Sequence, residues 1–164
     1  MRASNQTPGP EIQILMRLLE EAYLRKAWHG PNLRGAIRGL TADSALKRPA
    51  PGRHNIWEIV VHAAYWKYAV RRRLLGEKRG TFALKGSNWF RCPDTLTEDS
   101  WKVAVSLLDK EHLLLREAIL KIPPAALYTA SFGGKTDNLT LICGIASHDL
   151  YHAGQIQLIK RLVR

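Results

Sequence analysis

Two histidines near the carboxyl end of the chain, His148 and His152, have the spacing of a metal-binding pair. Residues at positions i and i+4 of an α-helix lie one turn apart on the same face, with about 5–6 Å between their Cβ atoms, and two such imidazoles can bind one metal ion. Both replace inward positions of an apolar stripe that includes Ile145 and Ile159. Because burying imidazoles without polar partners costs free energy, the pattern predicts a metal at this helix face.

A third histidine, His62, interrupts the apolar segment between Ile59 and Trp66 and is therefore expected to point inward from another helix. If the two helices are neighbours, three imidazoles can converge on one divalent ion and leave a coordination position open, as in catalytic zinc sites. Neutral imidazole also binds nickel and iron, so zinc, nickel and iron all remain candidates. The alternative is that the three side chains are core histidines satisfied by other polar groups.

Two further residues, Asp149 and His112, are candidates for a role in catalysis or substrate binding. The segment from His148 to His152 departs from the HExxH motif of metalloproteases, because Asp149 replaces the glutamate and is one methylene shorter. Asp149 is therefore expected to orient a ligand or activate a bound water rather than to act as a protease base. His112 lies on the apolar stripe of its helix. It is a candidate fourth ligand or substrate contact, although a core histidine satisfied by its neighbours is the favoured interpretation.

Four aromatic residues, Trp57, Trp66, Trp89 and Tyr151, are candidates for the wall of a pocket around such a site. Aromatic side chains at helical spacing more often belong to the core, and both interpretations stay open for these four. Trp89 belongs to residues 77–96, which show no helical period. A loop of that length with aromatic residues is usually packed over other structure, so it is predicted to cover the mouth of the site.

Hydrophobic periodicity predicts four main helices and no strand. The first helix begins after Pro10 and breaks near Gly30-Pro31, and the others cover about residues 56–75, 97–122 and 139–162. A shorter helical piece is expected over 32–40, followed by a linker over 41–52. Asn55 and Glu58 are predicted to cap the second main helix as a capping box. The pattern indicates an all-α four-helix bundle with long crossover loops, for which an up-down-down-up order is feasible.

The composition is typical of a single globular domain. The chain has 164 residues, of which 46% are hydrophobic and 24% are charged, so it is long enough to bury a core. The domain is expected to span residues 11–164 after a flexible segment, residues 1–10, which lacks the apolar stretch of a secretory signal. The longest apolar run is too short to cross a bilayer, and a cytoplasmic location is the expectation.

The chain is strongly basic, with a formal net charge of +11. Such a charge attracts anions, nucleic acid included. The basic residues are scattered or lie at predicted helix ends, where cations interact favourably with the helix dipole, and no nucleic-acid-binding motif is present. Surface charge is therefore favoured over a nucleic-acid partner. The two cysteines, Cys92 and Cys143, form no CxxC pattern, which disfavours a disulfide framework or a thiolate metal site.

Three segments resemble the DinB-like, or YfiT-like, metalloenzyme superfamily, and together they extend over nearly the whole chain. They are Trp28-His29-Gly30-Pro31-Asn32-Leu33, the run from Pro51 to His62 followed by Trp66, and the run from His148 to Ile156. The last two have the order and wide separation that the family uses. The resemblance implies a four-helix bundle in an up-down-down-up order, commonly a homodimer. It also implies a divalent metal bound by one histidine of the second helix and two of the fourth, which here are His62, His148 and His152.

The resemblance does not specify one reaction. Some relatives transfer low-molecular-weight thiols to electrophiles, some isomerise or hydrolyse small molecules, and many have no known activity. The expected function is a metal-dependent enzyme that acts on a small molecule, of thiol S-transferase or hydrolase type, with a low-molecular-weight thiol as candidate cosubstrate. The alternatives are a non-catalytic metal-binding or stress-related binding protein of the same fold, and a basic nucleic-acid-binding bundle.

Overall fold

The structure is a computed structural model that describes residues 8–78 and 80–163. Its elements are α1 (Pro10–Tyr23), α2 (Leu33–Ile37), α3 (Ala42–Leu46), α4 (Ile56–Leu74), α5 (Glu98–Leu120), a 3-10 turn (Pro124–Ala126) and α6 (Asn138–Leu162). The described residues form no β-strand, and none of their helices has both the length and the apolarity needed to cross a bilayer. Residues 1–7, most of the segment expected to be flexible, lie outside the described part. The all-α prediction is confirmed.

The four predicted main helices are α1, α4, α5 and α6, and the largest differences from prediction fall between α1 and α4. Helix α1 ends at Tyr23 rather than near Gly30. Beyond it the chain turns back, and Asn32 secures the turn because its side chain donates to the carbonyl of Arg25 and also caps α2. Helix α3, with 5 residues, lies inside the predicted linker. An element of little more than one turn is too short to show a hydrophobic period.

Only one of the two hydrogen bonds of the predicted capping box forms at the start of α4. The side chain of Asn55 accepts a hydrogen bond from the backbone N–H of Glu58, as expected of an N-cap. The carboxylate of Glu58, however, does not return to the backbone of Asn55. It accepts bonds from Arg48, His54 and the backbone N–H of Cys92 instead. The sequence pattern identified the cap correctly and missed the tertiary role of Glu58, whose partners lie in two loops.

Two clusters of buried apolar side chains show the directions of the long helices. The first contains the starts of α4 and α5 together with the ends of α1 and α6, for example Ile56, Trp101, Tyr23 and Ile156. The second contains the starts of α1 and α6 together with the ends of α4 and α5, for example Ile12, Ile142, Val70 and Ile119. Helices α4 and α5 therefore run parallel to each other and antiparallel to α1 and α6. This is the up-down-down-up order.

A layer of buried polar residues joins the middle of the bundle. Lys67 of α4 and Asp149 of α6 are both fully buried and form an ion pair. The Lys67 ammonium also lies 4.7 Å from the ring centre of Tyr23 and 3.5 Å from Nδ1 of His112. Burial lowers the pKa of Lys67 and raises the pKa of Asp149, while each charge stabilises the other. The pair ties α4 to α6 close to the histidines, since Asp149 directly follows His148 and Lys67 lies little more than one turn after His62.

Candidate metal centre

The three predicted histidine ligands meet between α4 and α6. Because these helices are antiparallel, the early part of α4, with His62, faces the later part of α6. Nε2 of His148 lies 3.1 Å from Nε2 of His62 and 3.1 Å from Nε2 of His152. One nitrogen from each ring lies within 4.8 Å of the other two, and the group could hold a metal ion. Two ligands of a tetrahedral zinc ion are about 3.3 Å apart when each bond is about 2.0–2.1 Å, so the spacing suits such an ion.

Two of the three imidazoles are oriented by hydrogen bonds at their other nitrogen. Nδ1 of His62 donates to the carbonyl oxygen of Asn88 at 2.8 Å. Nδ1 of His152 bonds to Oε1 of Gln155 at 2.7 Å, and Nε2 of Gln155 in turn donates to the hydroxyl of Tyr151. Metal-bound histidines commonly donate their second ring N–H to such oxygen acceptors. No described group accepts a bond from Nδ1 of His148, which is buried.

These hydrogen bonds determine which nitrogens carry lone pairs. A carbonyl oxygen only accepts, so Nδ1 of His62 carries the proton, and the Nε2 of that neutral ring is bare. The amide oxygen of Gln155 also only accepts, so Nδ1 of His152 carries the proton and its Nε2 is unprotonated. A neutral His148 has one proton at most on its Nε2, so it can donate to only one of its two close neighbours. The remaining contact brings two lone pairs together, which a cation bound to all three nitrogens would relieve. The residues therefore fit a divalent metal.

Burial keeps these imidazoles in the neutral form that binds metals. Desolvation, together with the neighbouring His152 and His62, lowers the pKa of His148 to about 3. Desolvation lowers the pKa of His152 to about 4, although its bond to Gln155 acts in the opposite direction. The pKa of His62 is also lowered, mainly by burial. At neutral pH the three rings do not need to lose protons before they coordinate an ion.

The loop between α4 and α5 covers one side of the cluster. The indole of Trp89 is stacked between two imidazoles, 3.8 Å from the ring centre of His62 and 3.7 Å from that of His54. Asn88 adopts a left-handed conformation with φ of 62° and accepts a bond from the indole N–H of Trp66 through its side chain. The loop thus lies over the site, as its length and aromatic content predicted, and it also supplies the carbonyl that orients His62.

Two clefts flank the histidines. The first, about 180 Å³ in volume, runs between α4 and α6 and is lined by His148, Trp66 and Arg73 among others. We call it the α4–α6 cleft. The second, about 350 Å³, is lined by His152, Trp89 and Tyr151 among others, and we call it the Trp89 cleft. A larger cavity of about 450 Å³ lies between α2 and α5 and contains none of the predicted site residues.

Three other predicted site residues, Asp149, His112 and Trp57, do not belong to the histidine cluster. Asp149 follows His148 in sequence but is fully buried against Lys67, and it does not join the three-histidine group. His112 stacks on Tyr23 with ring centres 3.7 Å apart, and burial lowers its pKa to about 2. Trp57 belongs to the first core cluster and lines neither cleft. Trp66, Trp89 and Tyr151, by contrast, line the clefts beside the cluster.

Four residues that support this centre were not among the predicted site residues: Lys67, Asn88, Gln155 and Glu58. Gln155 carried a local signal, since it follows His152 by one turn on the same inward stripe. Glu58 was noticed only as a cap. Lys67 and Asn88 had no distinguishing signal in the sequence, because a lysine within a helix and an asparagine in a loop are both common on protein surfaces.

Comparison with known proteins agrees with this architecture. The sequence profile of the DinB superfamily matches residues 23–156, which is more than half of the chain and includes all three clustered histidines. No curated protein and no solved structure gives a significant match. The matched region contains α4 and α6, the two helices that bring His62, His148 and His152 together. The chain belongs to the DinB superfamily.

Proposed function

We propose that this protein is a metal-dependent enzyme that acts on a small molecule, with a divalent ion held by His62, His148 and His152. The observation that carries the proposal is the convergence of their Nε2 atoms. Those of His62 and His152 are unprotonated, because Nδ1 of each ring carries the proton and donates it to an oxygen acceptor. A bound zinc, nickel or iron ion would act as a Lewis acid, which lowers the pKa of a coordinated water or thiol towards neutrality. Thiol S-transfer and hydrolysis both follow from that chemistry.

The number of ligands favours a catalytic over a structural ion. Structural zinc sites close all four positions with protein ligands, whereas catalytic sites use three and leave one open. Within residues 8–78 and 80–163, no fourth histidine, cysteine or carboxylate joins the group. His112, the candidate fourth ligand, stacks on Tyr23, and Asp149 pairs with Lys67. The flanking clefts give a small molecule access to the cluster from two sides.

The other residues of the centre have supporting roles in this proposal. Asn88 and Gln155 keep two rings in the tautomer that presents Nε2. Trp89 covers the face of His62 and excludes water from it. Asp149 pairs with Lys67 and so positions the turn of α6 that carries His148. A direct catalytic role for Asp149 remains a prediction, as do the cytoplasmic location and the homodimer.

Metal content is the first test. Protein purified without a histidine tag should contain close to one divalent ion per chain, measured by elemental analysis. His62→Ala and His148→Ala should each abolish that content while the helical circular-dichroism signal is retained. His29→Ala is the matched control, because His29 is exposed and outside the cluster. Metal retained by both cluster variants would contradict the proposed centre.

Activity is the second test, and it separates the enzyme from its alternatives. A panel of low-molecular-weight thiols is assayed against a generic electrophile, with and without added zinc, nickel or iron, and activated esters are assayed for hydrolysis. Metal-dependent turnover that His148→Ala abolishes is expected. Stoichiometric metal without turnover of either class would favour the non-catalytic, stress-related binding protein. Strongly salt-dependent binding to DNA or RNA would instead favour the basic nucleic-acid-binding bundle.

A further inference from the structure

The α4–α6 cleft contains an arginine with no partner. Arg71 and Arg72, which precede Arg73, both have partners: Arg71 forms ion pairs with Glu77 and Glu111, and Arg72 donates a hydrogen bond to the carbonyl of Lys78. Among the described residues, Arg73 forms no ion pair and none of its five N–H donors meets an acceptor. Its side chain is half-buried and lines the same cleft as His148. A guanidinium in this setting is available to a ligand.

The loop before α6 makes room for this guanidinium. A Cβ atom on Gly134 would lie 2.8 Å from Nη2 of Arg73, so the absence of a side chain at this position leaves space for the guanidinium beside the turn. The hydroxyl of Ser131, next to the same turn, is buried and has no hydrogen-bond partner. The tip of Arg73 therefore lies beside this turn without an acceptor there. Its N–H donors are therefore free to bind a ligand.

The other walls of the cleft are apolar or neutral. Trp66, Val70 and Ile145 form an apolar surface, and Thr136 and Thr140 contribute hydroxyl groups. No carboxylate lines the cleft. Asp137 follows Thr136 in the chain, but its carboxylate caps α6 by accepting a bond from the backbone N–H of Thr140. Arg73 is therefore the sole charged group among the described residues that line this space.

The helix spacing places the arginine and the metal centre at opposite ends of the cleft. Thr140, near the Arg73 end, precedes His148 by eight residues on α6, which corresponds to about 12 Å along the helix axis. The volume of about 180 Å³ equals that of about six water molecules at about 30 Å³ each. The space suits a short molecule with one end at His148 and the other near the guanidinium.

We propose that the α4–α6 cleft is the substrate subsite, and that Arg73 selects substrates with an oxyanion at the end remote from the metal. This inference rests on the proposed metal-dependent function and adds a substrate class, namely small acids with a short apolar stem. Arginine binds carboxylates and phosphates through two parallel N–H donors, which gives both affinity and orientation. The oxyanion would thus fix the direction in which the reacting group reaches the histidine cluster.

A pair of thiols that differ only in charge tests the proposal. The full-length chain loaded with Co²⁺ is titrated with 6-mercaptohexanoate and with 6-mercaptohexanamide, whose longer chains allow the thiol to bind the ion while the other end extends towards Arg73. Binding is followed by the visible absorption of the ion. The wild type should bind the acid at least about tenfold more tightly than the amide, as expected of charge-assisted hydrogen bonds. Arg73→Gln should lose this preference while binding the amide unchanged. Arg73→Lys should retain part of it, because the charge remains but the paired donors do not.

Arg53→Gln is the matched control, since Arg53 lines the Trp89 cleft on the other side of the histidines. It should leave the preference for the acid intact. Loss of the preference in Arg53→Gln, or its persistence in a folded Arg73→Gln, would overturn the assignment. Thermal unfolding of each variant confirms that the comparison is made between folded proteins.

A second measurement separates failure of this inference from failure of the proposed function. Propionate and inorganic phosphate are titrated into the wild type and Arg73→Gln, with and without Co²⁺, and the amide resonances of Thr140 and Gly144 are followed by NMR. Shifts in the wild type that Arg73→Gln abolishes support the anion subsite even if Co²⁺ or thiols fail to bind, and their relative size distinguishes carboxylate from phosphate. Unchanged resonances with a metal bound would refute the subsite and leave the metal centre standing.

Discussion

The protonation state of individual imidazole nitrogens determines whether this histidine cluster can bind a metal ion. A histidine cluster on its own can be a set of core residues, but here the acceptors beside Nδ1 of His62 and His152 leave their Nε2 lone pairs directed at His148. The supporting acceptors are therefore as informative as the ligands. The two acceptors are the backbone carbonyl of Asn88 and the side-chain oxygen of Gln155. Only the second can be removed by a substitution.

Replacing Gln155 with leucine should weaken metal binding without removing it. The change deletes the acceptor that orients His152, and loss of such an outer partner typically costs about 10–100-fold in metal affinity. The affinity is measured by competition with a chromogenic chelator. Gln157→Leu, a similar change elsewhere on α6, is the control. Equal affinities in the two variants would show that the bond to Gln155 does not orient the ligand.

Glu58 is a second residue whose charge state matters, because it ties the start of α4 to two loops. Burial acts to raise its pKa, but the bonds from Arg48, His54 and Cys92 N–H outweigh burial and hold the pKa at about 2, below its ordinary value of 4.5. A carboxylate with a lowered folded-state pKa stabilises the fold above its unfolded pKa and loses that contribution as the pH falls through the folded value.

Glu58→Gln should therefore lower the free energy of unfolding at neutral pH by about 1–3 kcal/mol. The difference from the wild type should shrink as the pH falls from about 4.5 towards about 2, where the native carboxylate becomes protonated. Urea unfolding of both proteins in the presence of a chelator, at a series of pH values, measures this difference. A difference that is independent of pH would mean that the charge of Glu58 contributes nothing.

At the scale of the helices, the antiparallel packing of α4 on α6 creates the site. The ion pair between Lys67 and Asp149 lies in that interface, fully buried, beside the turn of α6 that carries His148. Removing one partner of a buried pair leaves an uncompensated charge, whereas replacing both with apolar residues of similar size is often tolerated. The pair can therefore be tested as a unit that holds the two helices in register.

Lys67→Met should destabilise the fold by about 3–5 kcal/mol, because Asp149 is then buried without its partner. The double variant Lys67→Met/Asp149→Leu should recover most of that loss, as measured by urea unfolding. If the pair only positions α6, the double variant should also retain its metal. A folded double variant with stoichiometric metal but no activity would instead support a catalytic role for Asp149.

At the scale of the whole molecule, metal binding and folding should be coupled. The three ligands come from helices that are distant in sequence, so an unfolded chain cannot present them at one point. An ion that binds only the folded state stabilises it by about 2.7 kcal/mol when its free concentration is 100 times Kd. Binding also requires deprotonated rings, which burial already provides here.

The melting temperature of the wild type should accordingly rise with the concentration of zinc, nickel or iron. His148→Ala should show no such rise, and Arg91→Gln, a change at an exposed ion pair, should respond like the wild type. Differential scanning calorimetry of chelator-treated protein measures the effect. An equal rise in His148→Ala would indicate that the ions bind elsewhere on the chain.

Residue spacing alone predicted much of this architecture. Positions on one helix are related by a fixed rotation and rise, so the pairing of His148 with His152, the inward orientation of His62 and the N-cap at Asn55 could be predicted from residue types. The resemblance of three segments to a known family then indicated the bundle and its order, which the structure confirms.

Only the tertiary structure decided which groups surround those histidines. The partner of His62 is the carbonyl of Asn88, 26 positions away in a loop without periodicity, and the partner of Lys67 is Asp149, 82 positions away. Such contacts depend on how helices pack and loops close rather than on any repeat within a segment. The same reason explains why Arg73, one of three consecutive arginines, could be recognised as the unpaired one only when the cleft beside His148 was seen.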